Sequence, residues 1–345
     1  MQQRKLSMTT IYDVAKRAGV SVATVSKVLN GYPDVSQRTR DKVQQITDEL
    51  GYHANAVARS LVTRRSMTIG VFFQDHDNRG FRHPFLHDVI ASFKDIVGEA
   101  GYDLLFLSEQ RSDASSRSFE ARARQRDVDG LFLLGVPRTN SGLAALSRSQ
   151  IPTVSVDLDL FGPKASYLCS DNVGGARKAV DYLVANGHRK IAFIGDRFGT
   201  KPGHDRMLGY QEALQANALQ YRSEWVLEGD FSEASGARAM KRILKCSELP
   251  TAVFCASDMM AIGGMDALLE AGLEVARDMS IVGFDDIDLA RYVKPGLTTI
   301  RQNTEKMGQR AATELLELMN MANKPPSVMT VETSLVIRGT VRNMS

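Results

Sequence analysis

Residues Thr9 to Asn30, TTIYDVAKRAGVSVATVSKVLN, leave few folds open. Ile11, Val14, Ala15 and Ala18 recur at i, i+3, i+4 and i+7, so they share one face of a short helix. Thr10 is placed to cap its start. Gly19 is placed to end it, where the chain needs a positive φ. Ser21 then opens a second helix that turns Val25, Val28 and Leu29 inward. Val22, Ala23, Ser26, Lys27 and Asn30 are left pointing outward, all of them small, polar or basic. Two short helices about one tight turn, the second slim enough for a DNA major groove, make a helix-turn-helix. A helical hairpin inside a larger core is the competing reading, and the caps and turn together disfavour it.

The charge distribution agrees. Residues 1–65 hold eleven Lys or Arg against five acids, a net +6, whereas the remainder holds 32 basic against 35 acidic residues, a net −3. A basic excess is often only a solvated face. One that coincides with a helix-turn-helix points to a polyanion partner for that end of the chain.

At 345 residues the chain is too long for one compact domain. Ser36 is placed to cap a third helix with Val43, Ile46 and Leu50 inward and Gly51 at its end. Residues 54–65, ANAVARSLVTRR, permit a helix too short to be stable alone in water. This is either a plain tether or a hinge that becomes helical only on DNA. From Met67 onward near-continuous apolar runs (68–73, 103–107, 130–136, 153–157, 167–170, 190–195, 225–229, 252–256, 280–284, 297–300 and 334–338) alternate with amphipathic stretches such as 85–100. That is the pattern of parallel sheets covered on both faces. So many strands are better divided between two lobes with a cleft between them.

No run approaches the roughly twenty apolar residues of a membrane span, and MQQRKLSM lacks the apolar stretch of a secretory signal. Cys169, Cys246 and Cys255 are odd in number and two lie in strand-like runs, which fits buried thiols in a reducing cytoplasm.

Ligands of such folds bind beyond the carboxyl ends of the strands. Asp157 ends PTVSVD, Asp196 ends KIAFIGD, Phe231 ends WVLEGDF, Ser257 and Asp258 end VFCASD, and Asp285 and Asp286 end IVGFDD; Arg206 lies in HDRMLGY. Carboxylates and a guanidinium bind vicinal hydroxyls, and an aromatic ring stacks on the apolar face of a sugar. Each aspartate singly is as well explained as a helix cap, and that reading is preferred for Asp171, Asp258 and Asp286.

Taken together, TIYDVAKRAGVSVATVSKVLNG, LGYHANAVARSL, HRKIAFIGD, DRMLGY, EGDF, IVGFDD and LTTIRQ make the chain similar to the LacI/GalR family of bacterial transcriptional regulators, from Thr9 to about Thr340. The resemblance implies an all-α helix-turn-helix headpiece (8–53), a hinge helix (54–65) and an α/β two-lobed, periplasmic-binding-protein-like core (66–345) of two doubly wound parallel sheets. It places about residues 66–169 and 299–329 in one lobe and about 170–298 and 330–345 in the other. It also implies that Val22, Ala23 and Lys27 read bases, the first two through thymine methyls and Lys27 through guanine O6/N7. Thr10, Tyr12, Ser21, Thr24, Ser26, Asn30 and Thr39 would contact phosphates. In the hinge, Leu61 would wedge into a base step from the minor groove, with Asn55, Ala58 and Arg59 lining it. Two such leucines require a homodimer on a pseudo-palindromic operator.

In the core, the resemblance implies that Phe85, Asp157, Arg206, Phe231 and Asp285 contact a small-molecule effector. Ser257 stands there where relatives commonly carry asparagine. The polar segment QDHDNRGFRHP suits a larger or charged ligand. No leucine heptads follow Arg338, so a dimer rather than a tetramer is expected. The expected activity is repression of carbohydrate-utilisation genes, relieved by a sugar, in the bacterial cytoplasm at the nucleoid and without a cofactor. A corepressor-dependent regulator of purine or phosphoprotein type and a sugar-binding protein without regulatory role are the alternatives. An enzyme is disfavoured, because the chain has no P-loop, HExxH, GxSxG or dinucleotide fingerprint. His83 and His87, at i and i+4, are expected to be an ordinary pair rather than a metal grip.

Overall fold

The computed structural model describes residues 9–29, 31–52, 65–73, 83–107, 119–196 and 199–344, in two compact units, residues 1–67 and 68–345. The first holds α1 (Ile11–Ala18), α2 (Val22–Leu29) and α3 (Gln37–Glu49). They close on a core of Val14, Ala15, Ala18, Val25, Val28, Val43 and Ile46. Gly19 ends α1 at φ 65°, and Ser36 Oγ accepts from the Thr39 N–H to open α3. The Ser21 hydroxyl accepts from the Thr24 N–H at 3.1 Å. At α1 Thr10 is the cap, in a capping box with Asp13. The Thr10 N–H and hydroxyl both donate to the Asp13 carboxylate, at 2.8 and 2.7 Å. The acid, better placed against the positive end of the helix, takes the main part.

The second unit runs β1 (Thr68–Phe73), α4 (Pro84–Glu99), β2 (Asp103–Phe106), α5 (Phe119–Gln125), β3 (Gly130–Leu134), α6 (Leu143–Leu146), β4 (Thr153–Val156), β5 (Ala165–Ser170) and α7 (Asn172–Ala185). It continues through β6 (Ile191–Gly195), α8 (Lys201–Ala216), β7 (Val226–Glu228), α9 (Glu233–Ile243), β8 (Ala252–Cys255) and α10 (Asp258–Glu270). β9 (Ser280–Asp285), α11 (Leu289–Tyr292), β10 (Thr298–Gln302), α12 (Thr304–Asn320), β11 (Val328–Val331) and β12 (Thr333–Val336) complete it. Among the described residues the strands make two six-stranded sheets, ordered β11-β5-β4-β3-β1-β2 and β12-β10-β9-β8-β6-β7. All neighbours are parallel except β12, which runs antiparallel to β10. β3 and β6 are buried along their whole length, which is why their sequences lack period-two alternation.

The chain passes between sheets three times, and the second passage falls later than the resemblance implies. Ser170 still belongs to β5 of the first sheet. Thr298–Gln302 pairs with β9 and β12 in the second, so residues 299–302 lie in that lobe. Val328–Val331 pairs with β5, which leaves 330 and 331 in the first lobe. Packing explains the later second passage: α12, not β10, carries the chain back. A Cβ on Gly308 would lie 2.5 Å from the Val89 carbonyl oxygen, so α12 is seated directly on α4. β11 was not expected as a strand. Its alternately exposed sequence VMTV carries little apolar signal.

Candidate functional site

In the headpiece, α2 presents a narrower outward face than the sequence suggested. Ala23 and Lys27 are exposed, whereas Val22 is half-buried and packs against the headpiece core. Lys27 Nζ is ion-paired with Asp34, from the turn ahead of α3. Hydrogen bonding to Lys27 holds the Asp34 carboxyl below its usual range. Tyr12, Thr10 and Ser21 are exposed, Thr24, Ser26 and Thr39 half-buried. The two hydroxyl pairs Ser21–Thr24 and Ser36–Thr39, each 2.9 Å apart, lie at the amino ends of α2 and α3, where N–H groups and hydroxyls suit an anion. Asn30, Asn55, Ala58, Arg59 and Leu61 lie outside the described residues, as does most of the polar segment after β1.

In the second unit the carboxyl ends of both sheets bound one cavity. Its wall takes Phe85, Leu86, Gly135, Val136 and Asp157 from the first lobe and Arg206, Asp230, Phe231, Asp285 and Gln302 from the second, with His83, Thr200 and Pro202 completing it. Counted out to its mouth, open solvent included, it spans about 780 Å³. Five of the six effector-contact residues expected from sequence, Phe85, Asp157, Arg206, Phe231 and Asp285, therefore share one cavity wall.

Ser257 does not. It is fully buried and its hydroxyl accepts from the Met260 N–H at 3.2 Å, which makes it the cap of α10. Asp258, the residue expected to cap, is displaced from that role. Its carboxylate accepts from the Ile287 N–H at 3.0 Å and from the Thr299 hydroxyl, tying α10 to β10. Asp286 is no cap either, being paired with Arg301 and Arg338. Asp171 does cap α7, through the Gly174 N–H at 2.9 Å.

Arg206 is the electrostatic centre. Its side chain and that of Asp285 are each 3% exposed, with Nη1 3.4 Å from Asp285 Oδ1. Nε donates to Asn172 Oδ1 at 2.8 Å and Nη1 to the Ala256 carbonyl at 2.6 Å. The guanidinium lies 3.7 Å from the centre of the Phe284 ring. Gln302 Nε2 donates to Asp285 Oδ1 at 2.7 Å. Burial pushes the Asp285 carboxyl upward, and Arg206 opposes that shift. Asp157, Phe231 and Asp285 hold positive φ angles of 57°, 65° and 125°. Such backbone costs of order 1–3 kcal/mol per residue, and its concentration in one cavity wall is typical of a ligand site.

Asp157 is pushed up to about 7, first by burial and against the pull of Arg206. Between its ordinary value of 3.8 and about 7 the folded chain holds this proton more tightly than the unfolded chain. Stability is therefore lost as pH rises through that window. Asp157→Asn should remove this loss, raising the ligand-free melting temperature at pH 8 and leaving it unchanged near pH 4. An equal shift at both pH values would show that Asp157 titrates normally.

Asn172 and Gln302 were missed from sequence. Gln302 obeys the same strand-end rule as Asp285, but the polar pair Arg301–Gln302 hid the end of β10. His83 lines the cavity, whereas exposed His87 contacts Asp88 at 3.1 Å, so the two do not face one ion. Among the described residues no cluster of three or more acidic, His or Cys groups is placed to hold a metal, and no helix is long and apolar enough to cross a membrane.

Residues 10–55 match the model for bacterial regulatory proteins of the lacI family, and residues 180–341 that for a periplasmic binding protein-like domain. A probable HTH-type transcriptional repressor ExuR of Bacillus subtilis (strain 168) is 33% identical over 339 residues, covering 98% of this chain and 100% of the relative. The chain belongs to the LacI family. An HTH-type transcriptional repressor PurR of Histophilus somni (strain 129Pt) is 32% identical, over 98% and 100% of the two chains. The Lac repressor dimer bound to operator and the anti-inducer ONPF superposes with a TM-score of 0.83 at 31% identity, over 97% and 99%. A transcriptional regulator CelR–cellobiose complex superposes with a TM-score of 0.73 at 31% identity, over 96% and 99%. The chain is thus a DNA-binding helix-turn-helix regulator, and the relatives named repressors span 98% of it.

Proposed function

We propose that this protein represses carbohydrate-utilisation genes as a homodimer on a pseudo-palindromic operator, and leaves it when a sugar binds the interlobe cavity. The supporting observation is that the cavity takes Phe85, Val136 and Asp157 from one lobe and Arg206, Phe231 and Asp285 from the other. A ligand bridging both walls favours one relative orientation of the lobes. It shifts that balance only by its differential affinity for the two states, and about 2.7 kcal/mol gives a hundredfold change. The sugar complex of CelR and the operator complex of the Lac repressor support the same division of labour. On the DNA side, Lys27 exchanges Asp34 for guanine, Ala23 meets a thymine methyl, and Thr10, Tyr12, Ser21, Thr24, Ser26 and Thr39 set the register on phosphates. The Leu61 wedge and its neighbours Asn55, Ala58 and Arg59 complete operator recognition in this reading, with Asn30 on the backbone.

A screen of sugars by thermal shift on the full chain tests the cavity assignment, because a ligand of the folded state raises the melting temperature with concentration. Stabilisation by one sugar and its loss in Asp285→Ala are expected. Stabilisation by a purine alone, with tighter operator binding, would replace induction by corepression.

A further inference from the structure

The cavity also constrains the charge of what it binds. Among the described residues eight buried side-chain polar atoms lack a hydrogen-bond partner, and four of them lie in this one wall: His83 Nδ1, Asp157 Oδ1, Asp285 Oδ2 and Gln302 Oε1. Asp285 and Gln302 are 5% and 4% exposed. Three of the four atoms are oxygens that only accept while the carboxylates are ionised. The orientation of the Gln302 amide is set by its donation to Asp285 Oδ1, so its oxygen is the free atom. His83 Nδ1 donates or accepts according to tautomer.

The charges point the same way. The described wall holds the carboxylates of Asp157 and Asp285 against the single guanidinium of Arg206, while its third carboxylate, Asp230, is paired with Arg238. Two of the guanidinium's nitrogens are already committed, Nε to Asn172 and Nη1 to Ala256 and Asp285. A carboxylate or phosphate on the ligand would bring acceptors to acceptors. Above about pH 7, where Asp157 is ionised, it would leave these oxygens unpaired and set a third negative charge beside Asp157 and Asp285.

Resting on the reading of this cavity as a sugar-effector site, we propose that it selects ligands that bring several hydroxyl or amine donors and no negative charge, with Asp157 as the residue that excludes sugar acids and sugar phosphates. Each buried acceptor left unpaired is worth about tenfold in affinity or more. Asp157 is singled out because its Oδ1 meets no donor, whereas Asp285 is held by Arg206 and Gln302. Its replacement by asparagine removes one charge and supplies an amide donor for an anionic ligand.

Calorimetric titration of the full chain at pH 8, where Asp157 is ionised, with matched series tests this: for each of several hexoses, pentoses and disaccharides, the neutral sugar, its amino sugar, its uronic acid and its phosphate. The neutral or amino member of the bound series is expected to bind at least tenfold more tightly than its acid and phosphate. In Asp157→Asn that ratio is expected to shrink at least tenfold. An acid or phosphate that binds the wild-type chain as tightly as its neutral parent overturns the charge selection and leaves the sugar reading standing. An unchanged ratio in Asp157→Asn overturns the role given to Asp157. Failure of every member of every series overturns the sugar reading itself.

Discussion

Arg206→Ala is expected to abolish effector response and to cost the core roughly 3–5 kcal/mol, because it strands the buried Asp285 carboxylate without its cation. The loss is larger than that of one contact. Arg206 also links Asn172 at the start of α7 to the Ala256 carbonyl after β8, and it lies on the Phe284 ring. Arg206→Lys should restore little of this. A lysine cannot serve the asparagine, the carbonyl and the carboxylate at once, nor stack flat on phenylalanine. Denaturant unfolding measures the stability loss, and operator binding with and without sugar measures the response. Below the core transition the variant should still bind operator, because the headpiece closes on its own apolar cluster. A variant that still releases DNA on sugar addition would remove Arg206 from the effector site.

Val25→Ala should have the converse effect. Val25 is fully buried in a cluster of seven small and medium residues. Removing two methyl groups there costs roughly 2 kcal/mol, a large share of the few kcal/mol a unit of this size commands. Operator affinity should fall by at least tenfold, while sugar binding to the core stays as in the parent. Equal operator affinity in the variant would mean that DNA itself supplies the folding energy of the headpiece. Helicity of the free chain, measured by circular dichroism, separates the two cases.

The parts of this molecule that were legible in the sequence are those governed by local rules. Gly19, Ser21 and Ser36 announce the headpiece because a positive φ and a cap are decided within a few residues. The apolar runs announce two parallel sheets because burial on both faces removes alternation. Asp157, Arg206, Phe231 and Asp285 were found through their position at strand ends, and one cavity collects them. What was not legible depends on partners distant in sequence. Nothing in VFCASD distinguishes Ser257 as the cap from Asp258 as the tie to Ile287 and Thr299, because the deciding groups lie some thirty to forty residues away. Likewise the sequence presents Lys27 as a free donor, whereas in the fold the Asp34 side chain, seven residues on, pairs with it. The left-handed backbone at Asp157, Phe231 and Asp285 leaves no mark in residue type at all.

In the proposed mechanism a sugar in the interlobe cavity governs the grip of α2 on DNA. Fluorescence anisotropy of a labelled operator with the full chain, at fixed salt, tests it when titrated with the sugar that raises the melting temperature. Operator Kd is expected to rise about a hundredfold at saturation, and Asp285→Ala to hold it at the sugar-free value. An operator Kd that stays constant while the same sugar demonstrably fills the cavity would contradict it.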